Sequence, residues 1–270
     1  MKSLLTFLLV ALSLLSTTAK ALEITYSKIN PFDGSLSTTE GILLRGDISP
    51  GDYQYLLAVI RSDEEKFWKS SGFILASNGG DVDEALKIAR LVKGTFLSAY
   101  VGESAGQCVS ACFFIYAAAA RREADIKTLG IHRPYVHPRR LISVSPLEAE
   151  SLQKDALRRA RTYLVDQDVP TGLIDRMFQQ ASTEIYWLSR DEIDRQLGRR
   201  VPWYEQFLIA RCGLDKSLEQ KYFSTGDKDI RKQLYSVDNC GTKLTAAEGR
   251  AFLLTALSAA TDQKLTREKR

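Results

Sequence analysis

The sequence predicts an α/β fold built on a largely parallel sheet, followed by a helical C-terminal extension. Between residues 41 and 131, short apolar runs typical of buried strands alternate with segments that carry apolar residues at helical spacing. Glycine-rich turns separate the two kinds of segment. Strands that alternate with helices favour parallel pairing, because each helix returns the chain to the same edge of the sheet. After Pro202 the chain becomes charged and helical in character.

The predicted elements of the first half follow one another closely. Asp81 begins one helix as its N-cap, with Glu84 three residues later in the pattern of a capping box. The uncharged run 108–120 lies between a turn and two arginines, and we predict that it forms a buried helix. In chain order the predictions are strand 41–46, helix 53–60, strand 73–76, a helix after residue 81, strand 98–101, helix 108–120 and strand 126–131.

The second half is predicted to be mainly helical. Residues 145–148 (Ser-Pro-Leu-Glu) have the pattern of an N-cap, a first-turn proline and a closing glutamate, and Pro170 ends the long helix that they begin. A second capping box occupies residues 189–192. The change of character after Pro202 predicts two parts, an α/β domain at 22–202 and a helical extension at 203–270.

Residues 1–21 are predicted to be a secretory signal peptide. Lys2 supplies a positive start, residues 4–15 form an uncharged apolar run, and residues 19–21 (Ala-Lys-Ala) form a small-x-small cleavage signal. An uncleaved N-terminal anchor is the alternative. Cleavage after Ala21 predicts a mature chain in the periplasm or outside the cell, with no membrane attachment once the signal is removed.

The charge balance and the residue types exclude several classes of partner. The chain has 37 Lys and Arg against 33 Asp and Glu, and removing the two lysines of the signal segment leaves a net charge of about +2. So small a charge predicts no nucleic acid and no anionic membrane as partner. The chain has two histidines and no Cys-x-x-Cys pair, so we expect no metal site and no cofactor.

The four cysteines are disulfide candidates, because an exported chain meets an oxidising compartment. Cys212 and Cys240 lie in the same C-terminal segment and are the first pair we predict. Cys108 and Cys112 are four residues apart, and on a helix their Cα atoms would be about 6 Å apart, which a disulfide can bridge. Four cysteines allow three pairings, and the sequence leaves the choice open.

Three polar or glycine features mark a possible active site. Gly79 and Gly80 follow a predicted strand, where backbone N–H groups can point into a cleft. Ser110 begins an uncharged helix, whose free N–H groups and positive dipole end stabilise negative charge. His132 ends a predicted strand and can accept a proton near neutral pH. Taken singly, each also fits an ordinary turn, a helix cap or a structural histidine, and for His137 the structural interpretation is favoured.

The order of these features resembles the Clp protease proteolytic subunit, within the wider ClpP/crotonase fold. The resemblance covers about residues 41 to 200. It rests on the turn 77–80 (Ser-Asn-Gly-Gly), the motif 106–110 (Gly-Gln-x-x-Ser) and the motif 131–134 (Ile-His-x-Pro), together with residues 186–192 (Tyr-Trp-Leu-Ser-x-x-Glu). It implies a repeated β-β-α spiral, in an exported branch of the family.

The resemblance also implies roles for individual residues. Ser110 would be the nucleophile and His132 the general base, in acyl transfer to water through a serine ester. The N–H groups of Gly80 and Ala111 would form the oxyanion hole. The residues that would shape this turn are Gly79, Gly106 and Gln107.

One departure from the family concerns the acid that orients the histidine. The alignment places Ile185 where the family has aspartate, with Glu184 adjacent. Glu184 would orient His132 if the backbone shifts by one residue. Otherwise the site is a dyad, or Asp168 or Asp175 supplies the acid.

These observations lead to three functional hypotheses. The first is an exported, ATP-independent serine peptidase of Clp-like fold that cleaves peptides or unfolded protein. The alternative is a catalytically inactive Clp-like binding or scaffolding module in the periplasm, which the missing aspartate favours. A crotonase-like enzyme acting on thioesters is the third, and export argues against it because coenzyme A is cytoplasmic. The family stacks rings through the helix that follows the histidine, so a homo-oligomer through residues 145–167 is also predicted.

Overall fold

Residues 22–29 and 39–260 of this 270-residue chain are described by a computed structural model. The predicted signal peptide, residues 1–21, lies outside the described residues, and so does the end of the predicted C-terminal extension, residues 261–270. Within the described ranges, no helix combines the length and the apolar character needed to cross a membrane.

The described chain is a mixed α/β structure. Its strands are β1 (Glu23–Ile29), β2 (Thr39–Ile48), β3 (Gly72–Gly80), β4 (Ser98–Val101), β5 (Cys108–Val109), β6 (Arg121–Ala124), β7 (Leu129–Ile131) and β8 (Tyr186–Trp187). Its α-helices are α1 (Asp52–Ser62), α2 (Glu64–Lys69), α3 (Val82–Thr95), α4 (Ala111–Ala118), α5 (Pro146–Asp166), α6 (Thr171–Gln179), α7 (Pro202–Cys212), α8 (Lys216–Thr225) and α9 (Lys228–Ala259). A 3₁₀ turn at Pro138–Leu141 precedes α5, and a π-helical turn at Glu192–Leu197 follows β8.

The sheet divides into two branches at β3. The first part of β3 pairs with β4, with Phe73 opposite Ala99, and β4 continues to β6. The last part of β3 pairs with β5, with Ser77 opposite Cys108, and β5 continues to β7. These ladders and the β2–β3 pair are parallel, whereas the outer pairs β1–β2 and β7–β8 are antiparallel. The sheet is therefore mixed, and the prediction of a largely parallel sheet needs this correction.

The core lies between the sheet and the helices that cross it. Apolar side chains of β2 and β3, among them Ile42 and Phe73, are fully buried. The apolar face of α3 meets them, and every residue of α4 is buried. Each such side chain contributes about 1.5–3 kcal/mol by leaving water. The absence of charge in α4 thus has a direct cause, because the helix is surrounded by protein on all sides.

The predicted helix 108–120 differs from the structure at both ends. Its first residues form β5, because Cys108 and Val109 pair with Leu129 and Gly130 of the β7 segment. Its end is followed by β6, which was not predicted because that strand begins with two arginines. Arg122 is nevertheless buried, since its guanidinium donates to three backbone carbonyls, those of Ala117, Leu197 and Gly198. A guanidinium carries five N–H donors, so backbone acceptors can satisfy it inside a protein.

The predicted caps are present, but one glutamate has a different role. Asp81 accepts a bond from the Glu84 N–H at 2.9 Å and so caps α3. The Glu84 carboxylate does not return to Asp81. It accepts the N–H groups of Gly51 and Tyr53 at 3.1 and 2.7 Å, at the start of α1. It therefore joins two helix N-termini, where a negative charge is favourable.

The C-terminal helices pack against the α/β part of the chain. Leu253 and Leu257 of α9 belong to the main core cluster. The ring of Phe252 lies so close to Gly94 of α3 that an added Cβ would be 2.3 Å from it. Arg61 of α1 donates to the Leu257 carbonyl at 2.6 Å. The division at residue 202 into a domain and an extension stays a prediction.

All four cysteines are bonded, as Cys108–Cys112 and Cys212–Cys240. These are the two predicted pairs. The first joins β5 to α4 rather than two positions on one helix, and its Cα atoms are 5.3 Å apart. The second joins α7 to α9, with Cα atoms 5.8 Å apart.

Candidate active site

Ser110 lies in a sharp turn between β5 and α4. Its backbone has φ 57° and ψ −121°, a conformation that is rare for a residue with a side chain. It is the N-cap residue of α4, but its side chain makes no capping bond and no hydrogen bond with any described residue. The alternative that Ser110 is an ordinary helix cap is therefore wrong, because its hydroxyl does not bond to the first turn of α4. Ser110 is partly exposed.

The surrounding structure holds this turn in place. The Cys108 N–H donates to the Thr128 carbonyl at 2.8 Å, and the Ser110 N–H donates to the Gly130 carbonyl at 3.1 Å. On the far side, the buried helix α4 fixes the direction in which the chain continues. Unusual backbone conformations cost about 1–3 kcal/mol and persist only where neighbouring contacts enforce them.

Gly79 lies directly against the serine turn. A Cβ added to Gly79 would be 2.7 Å from the Ser110 Cβ and 2.8 Å from the Ala111 nitrogen. The Gly79 N–H is already used, because it donates to the Ser77 hydroxyl at 3.1 Å. Its φ of 97° also favours glycine. Only a residue without a side chain allows the end of β3 to approach the start of α4 so closely.

The two backbone amides that were predicted to form the oxyanion hole, those of Gly80 and Ala111, belong to residues beside this contact. Ala111 is the first residue of α4, so its N–H has no acceptor within the helix. Gly80 follows Gly79 at the end of β3, and the next amide along, that of Asp81, donates back to the Ile48 carbonyl at 2.9 Å. Gly80 has φ 137° and lies against Ile48, where an added Cβ would be 2.1 Å from a carbonyl oxygen.

His132 follows β7, the strand that neighbours β5. The two strands are parallel, so Ser110 and His132 leave the sheet at the same edge. The imidazole is buried, with 8% of the residue exposed. Its Nδ1 lies 3.0 Å from the Arg133 carbonyl oxygen. Because a carbonyl only accepts, this bond assigns the proton to Nδ1 and leaves the lone pair on Nε2.

Neighbouring groups position the histidine loop. The ring of Tyr135 stacks on that of His132, with the centroids 6.1 Å apart. Gln153 of α5 accepts the Val136 N–H at 2.8 Å and donates to the Pro134 carbonyl at 3.0 Å. The loop is thus bonded to the long helix on both sides of Tyr135.

The structure does not bring Glu184 to His132. The Glu184 carboxylate accepts the Gln180 amide at 3.0 Å on the surface. Tyr186 pairs with Ile131 at the end of the antiparallel β7–β8 ladder, and Ile185 is the residue just before this pair. Its side chain lies against Gly130, where an added Cβ would be 2.6 Å from the Ile185 Cγ2 atom.

The two alternative acids are also elsewhere. Asp175 forms a surface ion pair with Arg161 at 2.9 Å. Asp168 is exposed beyond the end of α5. Among the described residues, none of the contacts of His132 is with a carboxylate.

The buried carboxylate in this region belongs to Glu192, which stabilises the segment after β8. Burial acts to raise the pKa of Glu192, but the bonds that it accepts from Ser189 and Tyr186 outweigh burial and hold the pKa below its ordinary value. The Tyr186 hydroxyl donates to it at 3.0 Å and the Ser189 N–H at 2.8 Å. This confirms the second predicted capping box, although it opens a π-helical turn.

The structure gives a reason for Gly106, one of the two remaining predicted site residues, but not for Gln107. Gly106 has φ 136°, and its added Cβ would be 3.2 Å from the Ala76 Cβ, so the close approach to β3 explains the glycine. Gln107 is exposed, and its side chain forms no hydrogen bond with the described chain. In the described ranges, no group of three or more His, Cys, Asp or Glu side chains could hold a metal ion.

Sequence reasoning did not identify four groups of this site. They are the Ser77 hydroxyl, the Arg133 carbonyl, the Tyr135 ring and the Gln153 amide. Ser77 stands beside the glycine pair and could have been noticed as a local turn partner. A carbonyl acceptor has no sequence signal, and Gln153 acts from a helix twenty residues away in the chain.

Comparison with known protein families finds no match, and neither does comparison with curated proteins. Some solved structures are similar. A mutant of ClpP1 from Listeria monocytogenes has 19% identity and a TM-score of 0.40, over 59% of this chain and 88% of that one. A mutant of the 1510-N membrane-bound stomatin-specific protease has 14% identity and a TM-score of 0.38, over 64% and 83%.

A third similar structure covers more of the chain. It is a putative enoyl-CoA hydratase from Streptomyces coelicolor, with 13% identity and a TM-score of 0.34 over 89% of this chain and 88% of that one. At such identities and TM-scores, these likenesses assign neither a family nor an activity to the chain.

Proposed function

We propose that this chain is a serine hydrolase in which Ser110 and His132 act as a dyad. The observation that carries the proposal is the Ser110 turn itself. It combines a rare backbone conformation, a hydroxyl that makes no capping bond, and the close approach of Gly79. Rare backbone conformations concentrate at functional sites, where surrounding contacts maintain them.

The mechanism is acyl transfer. Nε2 of His132 takes the proton of the Ser110 hydroxyl while Oγ attacks the substrate carbonyl carbon. The N–H groups of Gly80 and Ala111 donate to the oxyanion that forms. The protonated imidazole then gives its proton to the leaving nitrogen as the carbon–nitrogen bond breaks. Water, deprotonated by the same Nε2, attacks the carbonyl carbon of the serine ester. The bond from this carbon to Oγ then breaks, and Oγ takes the proton back from Nε2, which restores Ser110 and releases the acid.

The Arg133 carbonyl takes the place of the orienting acid. It holds the proton on Nδ1, which keeps Nε2 available as a base. A neutral carbonyl stabilises the imidazolium less than a carboxylate would, so we expect slower turnover than in a complete triad, where losing the acid costs up to about 10⁴-fold. Ser110 and His132 share no hydrogen bond in the structure, and such bonds often form only when substrate is bound.

The sequence motifs support more specific proposals about the fold, the location and the substrate of this chain. We propose a ClpP/crotonase-like spiral, an exported chain and ATP-independent cleavage of peptides or unfolded segments. Two disulfides that use all four cysteines are compatible with an oxidising compartment. Assembly into a homo-oligomer stays a prediction.

The second candidate function is a catalytically inactive binding module. One observation favours it, namely that none of the contacts of His132 with described residues is with a carboxylate. A site without an orienting carboxylate loses part of its catalytic power.

A fluorophosphonate probe distinguishes the two functions. We expect wild type to be labelled at Ser110, because the probe reacts only with an activated serine hydroxyl and releases fluoride. Ser110→Ala and His132→Ala should both remove labelling, while Ser258→Ala, a change at an exposed serine of α9, should leave it unchanged. Mass spectrometry of labelled peptides identifies the site. A folded wild-type protein that is not labelled would establish the binding module instead.

The two disulfides are expected to have separate effects on stability and on reactivity. They close loops with sequence separations of 4 and 28, for which loop entropy predicts losses of about 2 and about 4 kcal/mol on removal. Only Cys108–Cys112 brackets Ser110. The Cys108→Ala/Cys112→Ala variant should therefore be the more stable of the two double variants and yet react more slowly with the probe, by at least about tenfold.

Urea unfolding and labelling rates together check this expectation. The Cys212→Ala/Cys240→Ala variant serves as the matched control, since it should lose more stability and keep the wild-type labelling rate. Equal labelling rates for the two variants would show that the short bridge does not maintain the serine turn.

A further inference from the structure

A cavity lies apart from the serine site, between β6, residues 199–200 and helices α8 and α9. Its volume is about 460 Å³, which is within the range of small-molecule sites. None of the residues that line it belongs to the candidate active site. The proposed hydrolase leaves this cavity without a role.

The lining has an excess of positive charge. Five of its residues are cationic and three are acidic. The cationic residues are Arg121, Arg199, Arg200, Arg231 and Lys232. An imbalance of this kind in a concave site focuses positive potential and attracts anions.

The floor of the cavity is a buried network of charges. Arg200 is only 6% exposed and bonds Glu219 and Asp238, the latter at 3.0 Å. Arg121 shares Asp238, at 3.2 Å. One donor is left over, because Nε of Arg200 has no hydrogen-bond partner in the described chain. A buried donor without a partner costs about 1–3 kcal/mol.

The rim carries cations that are not held in strong pairs. Arg231 of α9 is exposed, and its side chain forms no ion pair with any described residue. Lys232 pairs only with Asp229, at 3.0 Å and with both side chains about four-fifths exposed. Arg199, which also lines the cavity, lies 3.5 Å from Glu123. An exposed pair such as Lys232 with Asp229 contributes little, so Arg231 and Lys232 are available to a ligand.

We propose that this cavity binds a small molecule that carries a phosphate group. The lining cations come from two separate parts of the chain, namely β6 with residues 199–200, and helix α9, so cations from both parts can donate to one tetrahedral, multiply charged group. A single planar carboxylate is satisfied by the fork of one arginine and would not use both parts. The exposed ring of Tyr235 lines the same cavity and offers apolar surface to an organic part of the ligand.

Isothermal titration calorimetry of the purified chain with inorganic pyrophosphate tests this proposal. We expect a dissociation constant below about 1 mM for wild type and at least about tenfold weaker binding for Arg231→Gln/Lys232→Gln, because two charged donors are removed. The matched control is Lys154→Gln/Arg158→Gln, which removes the same charge from an exposed face of α5 and should bind as wild type does. Melting temperatures of the variants confirm that they are folded.

Comparing pyrophosphate with phenyl phosphate and citrate identifies the class of ligand. Tighter binding of phenyl phosphate than of pyrophosphate identifies an organic ester, and the reverse identifies an inorganic polyphosphate. The proposal is overturned if wild type does not bind either compound, if the two double variants are weakened equally, or if citrate binds as tightly as the phosphates. Since binding is measured directly, the result does not depend on whether Ser110 is reactive.

Discussion

Replacing His132 with alanine is expected to lower kcat/KM for peptide or ester hydrolysis by about 10²- to 10⁴-fold, the usual contribution of a general base. The effect should fall on kcat and leave KM nearly unchanged, because the imidazole acts on the serine proton rather than on substrate binding. Steady-state kinetics on a chromogenic ester, with the labelling rate of the fluorophosphonate probe as a second readout, would measure it.

The control for this prediction is Glu184→Gln. Its carboxylate is bonded to Gln180 on the surface, so removing its charge should change kcat/KM by less than about twofold, as for surface changes away from the chemistry. A large loss in Glu184→Gln would restore this residue as the orienting acid and refute the role of the Arg133 carbonyl. Equal activity of wild type and His132→Ala would exclude the dyad altogether.

Replacing Gly79 with alanine is expected to damage stability and activity together. The new Cβ would lie 2.7 Å from the Val109 carbonyl oxygen and 2.8 Å from the Ala111 nitrogen, and backbone atoms cannot move aside as a side chain can. The φ of 97° adds to the cost. We expect a loss of about 2–4 kcal/mol in the free energy of unfolding. A shift of the oxyanion donors by about 1 Å should lower the labelling rate by about 10²-fold.

Gly172→Ala is the matched control. Gly172 lies in α6, has no atom within 4 Å of its added Cβ, and has no positive φ. Alanine there should stabilise the protein by about 0.5–1 kcal/mol, because glycine is unfavourable within helices. Urea unfolding monitored by circular dichroism measures both variants. Similar stabilities for the two would show that β3 and α4 can separate without cost, and the close approach would then have no role in holding Ser110.

The parts of the candidate site that sequence reasoning could propose are those with local signals. Ser110 and His132 each combine a polar side chain with the end of an apolar run, and such ends are where parallel strands present residues to a common edge. The glycines beside them have conformations that other residues rarely adopt. Their positions in the structure follow from these local properties.

The features that sequence reasoning did not predict depend on contacts between segments that are far apart in the chain. β6 was missed because Arg122 is satisfied by the carbonyls of Leu197 and Gly198, about seventy-five residues later in the chain. Ile185 lies against Gly130 because of the register of β8 on β7, and a shift of one residue would reverse which side chains face the site. No local pattern encodes either fact.

The packing of α9 on α3 bears on when this molecule can fold. Phe252 and Leu253 cover a helix that was synthesised roughly 160 residues earlier, and contacts of such long sequence separation slow folding. Until α9 has been synthesised, the face of α3 on which it packs lacks its cover, and a fragment without α9 would expose apolar surface. The core is therefore complete only once α9 is present.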